Sequence, residues 1–369
     1  MAVSARRVPI SKVVIAEDEI RAVVEVLRSG NLREGAICQA FEQEFAAAVD
    51  ARFALTASSG TAALQMAYHA LLQPGDQVLV PAFTFYATAS MVLAAGGVPV
   101  FCDVDPQTLT LDVEDAARKV TKRTRAIAPV HLYGNAADVS RIRALAEANR
   151  LDVVWDAAQA HGTQYQKQDV GSLSGVCTYS FYPSKNMTTG EGGMVTTDRE
   201  ELIEPMKLLR SQGQSRKYWH TTLGYNFRMT DIQAAIGRGQ LRRLPTWVAQ
   251  RRANASYLRD RLSCSALSVQ LEQESSEHSY HQFSILLPAS HNRERFMSRL
   301  RENGVESAVH YPTPLHRQPA FEVYARGVSL PVSEDASDRI LSLPVHPYLS
   351  EPDLQYVADS ALEALFASS

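Results

Sequence analysis

Cysteine is scarce and scattered: four in 369 residues, at Cys38, Cys102, Cys177 and Cys264. No two make a Cys-x-x-Cys pair and none has a histidine at zinc-ligand spacing, so a disulfide scaffold and a structural zinc site are excluded and no metal is assigned. They read as reduced, mostly buried apolar residues of a cytoplasmic protein. An excess of one charge is also lacking. The 37 Lys+Arg stand against 40 Asp+Glu, a formal net charge of −3, and this scattered balance offers nucleic acid no footprint. The one basic stretch, Lys119 to Arg125, reads as a solvated helix end and turn before a strand. An uninterrupted apolar run long enough to cross a bilayer is missing too. The charge-free stretch from Gln77 to Cys102 comes nearest, but Pro81, Gly96, Gly97 and Pro99 break it. It reads as a buried strand, a helix and a second buried strand, and no membrane segment is expected. Arg6 and Arg7 are followed by no apolar stretch, which argues against a signal peptide.

What is present is an ordinary globular composition, 45% hydrophobic and 21% charged, in a chain long enough for two domains. Short apolar runs predict seven strands: Phe53–Ala57, Gln77–Pro81, Val98–Val104, Arg125–Leu132, Asp152–Asp156, Val176–Phe181 and Gly193–Thr197. Several are apolar on both faces, as strands covered by helices on two sides must be. Helical patterns fall between them at Gly60–Leu72, Tyr86–Ala95, Val113–Lys119 and Val139–Asn149. This alternation predicts an α/β fold with a mainly parallel sheet. After residue 230 the character changes. A helical stretch from Asp231 to about Leu262, interrupted at Pro245, leads into a smaller α+β pattern with a strand at Tyr280–Leu287 and helices at Arg293–Asn303 and Glu351–Phe366. The expected division is a large domain over 1–245 and a small C-terminal domain over 246–369.

Chemistry-bearing residues cluster where strands end. Ser58-Ser59-Gly60-Thr61 follows a strand and opens a helix, whose free amides and positive dipole end make an anion pocket; a plain Ser N-cap is the alternative. Phe85 lies just past the next strand, where open α/β sheets place ligands, and is either a stacking ring or core. Asp156 ends the strand Asp152–Asp156, where a carboxylate is desolvated unless paired; it holds a protonated ring nitrogen or caps a following helix. Gln159 would share a helical face with it. Lys185 stands in Ser180-Phe181-Tyr182-Pro183-Ser184-Lys185-Asn186, ahead of Gly190-Glu191-Gly192-Gly193. Ser180, at an odd offset along an extended segment, could face a phosphate. A lysine able to form an imine, a buried acid and hydroxyl donors are the parts that hold pyridoxal 5'-phosphate (PLP). Asn226 and Arg228 sit between aromatics with no packing reason to be polar, and Thr230 or Asp231 can cap the long helix.

These segments, with Pro129–Gly134, Asp156–Gly162 and Gly224–Ala235, resemble the DegT/DnrJ/EryC1/StrS family of PLP-dependent sugar aminotransferases from about Val14 to about Ser350. The resemblance implies the aspartate aminotransferase fold (fold type I) and a homodimer with shared active sites. It implies that Lys185 carries the cofactor as an imine and that Asp156 binds the pyridine nitrogen. Gln159 would contact the ring hydroxyl, Phe85 stack on the ring, and Gly60, Thr61 and Ser180 hold the phosphate. Asn226 would reach the phosphate of the neighbouring subunit. An intact Lys185 argues against the related branch that has His there and performs dehydration. The implied reaction moves an amino group from glutamate, less readily glutamine, to a keto-sugar, most simply a nucleotide-linked 4-keto-6-deoxy sugar, because Thr188-Thr189-Gly190-Glu191-Gly192-Gly193 resembles the loop of C-4 aminators. A cyclitol or a 3-keto sugar nucleotide is the alternative acceptor. A PLP-binding regulator without turnover would want a damaged lysine or a fused basic segment, and neither is present.

Overall fold

The computed structural model describes residues 6–368. Its centre is a seven-stranded sheet of β1 (Phe53–Ala57), β2 (Gln77–Pro81), β3 (Val98–Cys102), β4 (Thr124–Ile127), β5 (Asp152–Asp156), β6 (Val176–Ser180) and β7 (Gly193–Thr197), in the order β1-β7-β6-β5-β4-β2-β3. Only β7 runs antiparallel to its neighbours; the other pairs are parallel. The carboxyl ends of six strands therefore emerge along one edge, the edge where doubly wound sheets bind ligands. All seven expected strands exist. Three are shorter than their apolar runs suggest. The run from Arg125 leaves the regular ladder after Ile127: Pro129 has no N–H to give it, a single bridge from Val130 to Asp156 follows, and the chain then turns through Leu132–Gly134.

Alternation along the strands builds a core on each face. Leu79, Ile127, Val153 and Trp155 point to one side, against Phe41 and Phe45 of the helix Ala36–Ala48. Val78, Val80, Ala126 and Val154 point to the other, against Leu64, Ala67 and Tyr68 of the helix Gly60–Leu71. Each large side chain withdrawn from water in this way contributes about 1.5–3 kcal/mol.

The helix Asp231–Leu262 is continuous through Pro245, contrary to the expected interruption. Pro245 lies on the exposed face, while Leu241, Leu244 and Val248 are buried. Only one backbone hydrogen bond is lost, on the side where water can replace it. This helix packs against Glu17–Ser29 and Ala36–Ala48 at one end and Glu351–Ala367 at the other. A three-stranded antiparallel sheet of Ser268–Val269, Phe283–Leu286 and Ile340–Leu343 follows, covered by Arg293–Glu302 and Glu351–Ala367. Its core joins Leu258 and Leu262 to Phe283, Phe296 and Val357, with Val8 from the far end of the chain.

Cys38, Cys102 and Cys177 are buried and Cys264 is exposed. The basic stretch is tied into the fold: Lys119 donates to Phe101 O at 2.8 Å and pairs with Asp115, and Arg125 pairs with Asp152. Among the described residues no helix is long and apolar enough to cross a membrane.

Candidate active site

At the carboxyl edge of the sheet the structure opens a cavity of about 710 Å³. It gathers residues from five strand ends: Ser59, Gly60 and Thr61 after β1, Phe85 after β2, Val130 after β4, Asp156 and Gln159 at β5, Ser180 and Lys185 after β6. Residues far apart in the sequence thus share one space because parallel strands end on one side.

The β1 end is set by main-chain contact. Ser59 caps the helix Gly60–Leu71, its Oγ accepting from Ala62 N at 3.1 Å, so the N-cap reading holds, and the capped helix start lines the cavity. Ser58 N donates to Phe227 O at 2.7 Å. A Cβ on Gly60 would lie 2.7 Å from Ser180 Cβ, and one on Gly193 would lie 2.3 Å from Ser59 O. Both positions must be glycine for β1, β6 and β7 to meet at this corner.

At the floor, Asp156 is buried. Its Oδ2 accepts from Thr88 Oγ1 at 2.7 Å and its Oδ1 from Ala158 N at 3.1 Å. Thr88 is itself held by Thr84 at 3.2 Å. Burial pushes the Asp156 carboxyl above its ordinary value, and the Thr88 and Ala158 hydrogen bonds pull against that shift. No helix follows Asp156: residues 157–162 form turns, so neither the helix-cap alternative nor a shared helical face with Gln159 survives. The carboxylate closes its own turn on Ala158 instead. Gln159 is nonetheless placed beside it. Its Oε1 accepts from Tyr133 N at 2.7 Å and its Nε2 donates to Tyr311 Oη at 2.8 Å.

Lys185 is half-buried in the loop after β6. Removal of water pushes its amine down to about 8, against the pull of the Asp156 charge. Phe83 is core, whereas Phe85 is 53% exposed and turns its ring to the cavity, 6.0 Å from the Tyr311 ring. Sequence reasoning assigned no individual role to four contributors to the cavity or its support. Thr88 sits within the segment that follows β2, one turn beyond Thr84. His281, His310 and Tyr311 come from the smaller C-terminal part, where no motif marks them.

Asn226 is not brought to this cavity. It is exposed, bridged to Ser211, between stacked rings of Tyr225 and Phe227 at 4.9 Å. Thr230 caps the long helix in a capping box with Gln233. Asp231 does something different: it accepts from Gly35 N at 2.9 Å and Cys38 N at 3.0 Å and so caps the helix Ala36–Ala48.

The model of the DegT/DnrJ/EryC1/StrS aminotransferase family matches residues 13–362. The chain belongs to this family. It is 39% identical over 351 residues to a pleiotropic regulatory protein of Geobacillus stearothermophilus, with 93% of each chain covered. It is 37% identical to the dTDP-3-amino-3,4,6-trideoxy-α-D-glucose transaminase of Streptomyces venezuelae, over 97% of this chain and 96% of the relative. The solved structure of S. venezuelae DesV in complex with a ketimine intermediate superposes with a TM-score of 0.90 at 36% identity, covering 94% of both chains. The DegT/DnrJ/EryC1/StrS chain is thus an aminotransferase with the α/β fold of the PLP-dependent enzymes.

Proposed function

We propose that this aminotransferase moves an amino group from glutamate to a nucleotide-linked keto-sugar and holds PLP in the cavity described above, as one of the paired sites of a homodimer. The observation that carries the reading is one cavity with Lys185, its amine lowered to about 8, and Asp156, a buried carboxylate. The residues fit the cofactor. Asp156 receives two hydrogen bonds and forms no ion pair among the described residues, so a protonated ring nitrogen completes its surroundings. The amides that open the helix at Gly60 and Thr61, with the Ser180 hydroxyl across from them, suit a phosphate.

When bound, PLP supplies an aldehyde that accepts the amine and an electron-poor ring that makes the adjoining carbon acidic. The chain's own residues do the rest. Asp156 keeps the ring nitrogen protonated, and Thr88 and Ala158 hold that carboxylate in place. Gln159, fixed by Tyr133 and Tyr311, faces the ring hydroxyl. Phe85 covers the ring and excludes water. Lys185 Nζ anchors the cofactor and, when free, takes and returns a proton, for which an amine near 8 is well matched to neutral pH. Asn226, exposed and away from its own cavity, serves the phosphate of the neighbouring subunit.

The loop Thr188-Thr189-Gly190-Glu191-Gly192-Gly193 supports a 4-keto acceptor. A second reading, a 3-keto acceptor, is favoured by the 37% identity to an enzyme named for a 3-amino sugar. Purified protein is tested with glutamate against 4-keto-6-deoxy and 3-keto sugar nucleotides and an inosose, reading 2-oxoglutarate release and the aminated product. Amination of a keto-sugar nucleotide is expected. Turnover of the inosose alone would overturn the proposal.

A further inference from the structure

The cavity wall facing the sheet edge carries two histidines that the reaction as described does not use. His281 and His310 both line the space that holds Lys185. Their backbones are pinned. Buried Arg251 donates from Nη1 to Tyr280 O at 3.1 Å and His281 O at 3.3 Å, and Tyr133 Oη donates to His310 O. Their rings are not. Neither imidazole makes a hydrogen bond among the described residues, and Nδ1 of each is buried with no partner. A buried polar atom without a partner costs free energy, so two such rings on rigid backbone at one cavity need an explanation.

His161 provides the contrast. It too is buried with both nitrogens unpartnered, but it packs against Tyr179 at 5.2 Å and Phe181 at 5.6 Å and stays outside the cavity. Its ring fills core. Those of His281 and His310 face a ligand space.

We infer that His281 and His310 form the part of the acceptor subsite that reads hydroxyl groups of the keto-sugar, a step that rests on the sugar-acceptor reading above. The charge state selects the ligand chemistry. Burial, with the Lys185 charge adding to it, lowers His310 to about 4 and His281 well below its ordinary value, so both rings are neutral at neutral pH. A neutral imidazole offers one donor and one acceptor, which matches a hydroxyl. A carboxylate or phosphate would want the charged form. Glutamate carries no hydroxyl, so the pair serves the acceptor and not the amino donor.

The test separates the two half-reactions in PLP-loaded enzyme. His281→Ala and His310→Ala should each raise KM for the keto-sugar nucleotide about three- to tenfold, the worth of one ordinary hydrogen bond. The spectral change on adding glutamate alone should keep its rate, and the visible absorbance of bound cofactor should be unchanged. His281→Gln and His310→Gln, which restore a neutral donor and acceptor, should regain most of the lost affinity. If an Ala variant fails to fold, the Leu variant at that position, which fills the volume without hydrogen bonding, takes its place. An unchanged sugar KM, or an equal rise for glutamate and sugar, overturns the inference. Wild-type enzyme that completes the glutamate half-reaction yet aminates no keto-sugar nucleotide sinks the function proposed above and this inference with it; a working wild type with insensitive histidine variants sinks the inference alone.

Discussion

The two walls of the cavity are built on opposite principles. On the sheet side the acid and the amide are held in place: Asp156 by Thr88 and Ala158, Gln159 by Tyr133 and Tyr311, and the corner at Gly60 and Gly193 is closed to the width of a backbone. On the other side Tyr311 is bonded, but the imidazoles of His281 and His310 make no hydrogen bond among the described residues, and Nδ1 of each is buried. A wall whose groups are mutually satisfied sets a fixed geometry, as a cofactor used in every turnover requires. A wall with open valences leaves them for whatever enters and departs. On the readings proposed above, the difference puts chemistry and selectivity on separate elements of this chain.

The comparison can be broken most severely at Lys185. Lys185→Ala should lower transamination at least about a thousandfold, within the range for removing a positioned base. Borohydride should trap cofactor on Lys185 in wild type and on nothing in the variant; a trapped link on any other lysine would refute the assignment. Asp156→Asn comes next. Loss of a charge-assisted hydrogen bond worth about 1.5–3 kcal/mol should cost on the order of ten- to a hundredfold in kcat. Wild-type turnover would show that Asp156 merely closes its own turn.

Thr88→Val sharpens the contrast through pH. The Thr88 hydrogen bond lowers the Asp156 pKa against the upward push of burial. Without it the carboxyl protonates at a higher pH, so the acid limb of the rate profile should move upward, with a loss of about tenfold or less at neutral pH. An acid limb that stays put would mean that Thr88 is packing only. The mildest effect concerns the subunit boundary. Provided that Asn226→Ala alone is seriously impaired, co-expressed Lys185→Ala and Asn226→Ala chains should recover about a quarter of wild-type activity, since half of randomly paired dimers are mixed and each of those has one intact site. Tagged mixed dimers as inactive as their parents would place Asn226 in its own chain's service.

How much of this was legible in the sequence follows the same division. The seven strands could be read because each is a short apolar run between turn formers. Lys185 and Asp156 could be read because each follows such a run. Gln159 lines the cavity, but the turn at 157–162 carries it there and not the expected helical face. The helix Ala36–Ala48 went unread because its start, Gly35, has no capping side chain and its cap comes from Asp231, 193 residues from Cys38. Glu17–Ser29 begins after Ala16, which likewise gives no polar signal. His281 and His310 belong to a region whose local pattern says only strand and loop. Their meaning lies in which cavity the tertiary fold turns them toward, and no periodicity encodes that.

The sheet order carries a consequence for the time course of biosynthesis. β1 lies at the edge of the sheet and pairs with β7 alone among its strands, and Gly193 at the start of β7 is the residue pressed against Ser59. A nascent chain that has just finished β1 has nothing to pair it with until some 140 further residues have left the ribosome. The turn at Ser59 and Gly60 therefore takes shape only after Lys185 already exists. On the function proposed above, vitamin capture by this polypeptide is a late event: no fragment ending short of β7 holds both Lys185 and a finished corner at Ser59.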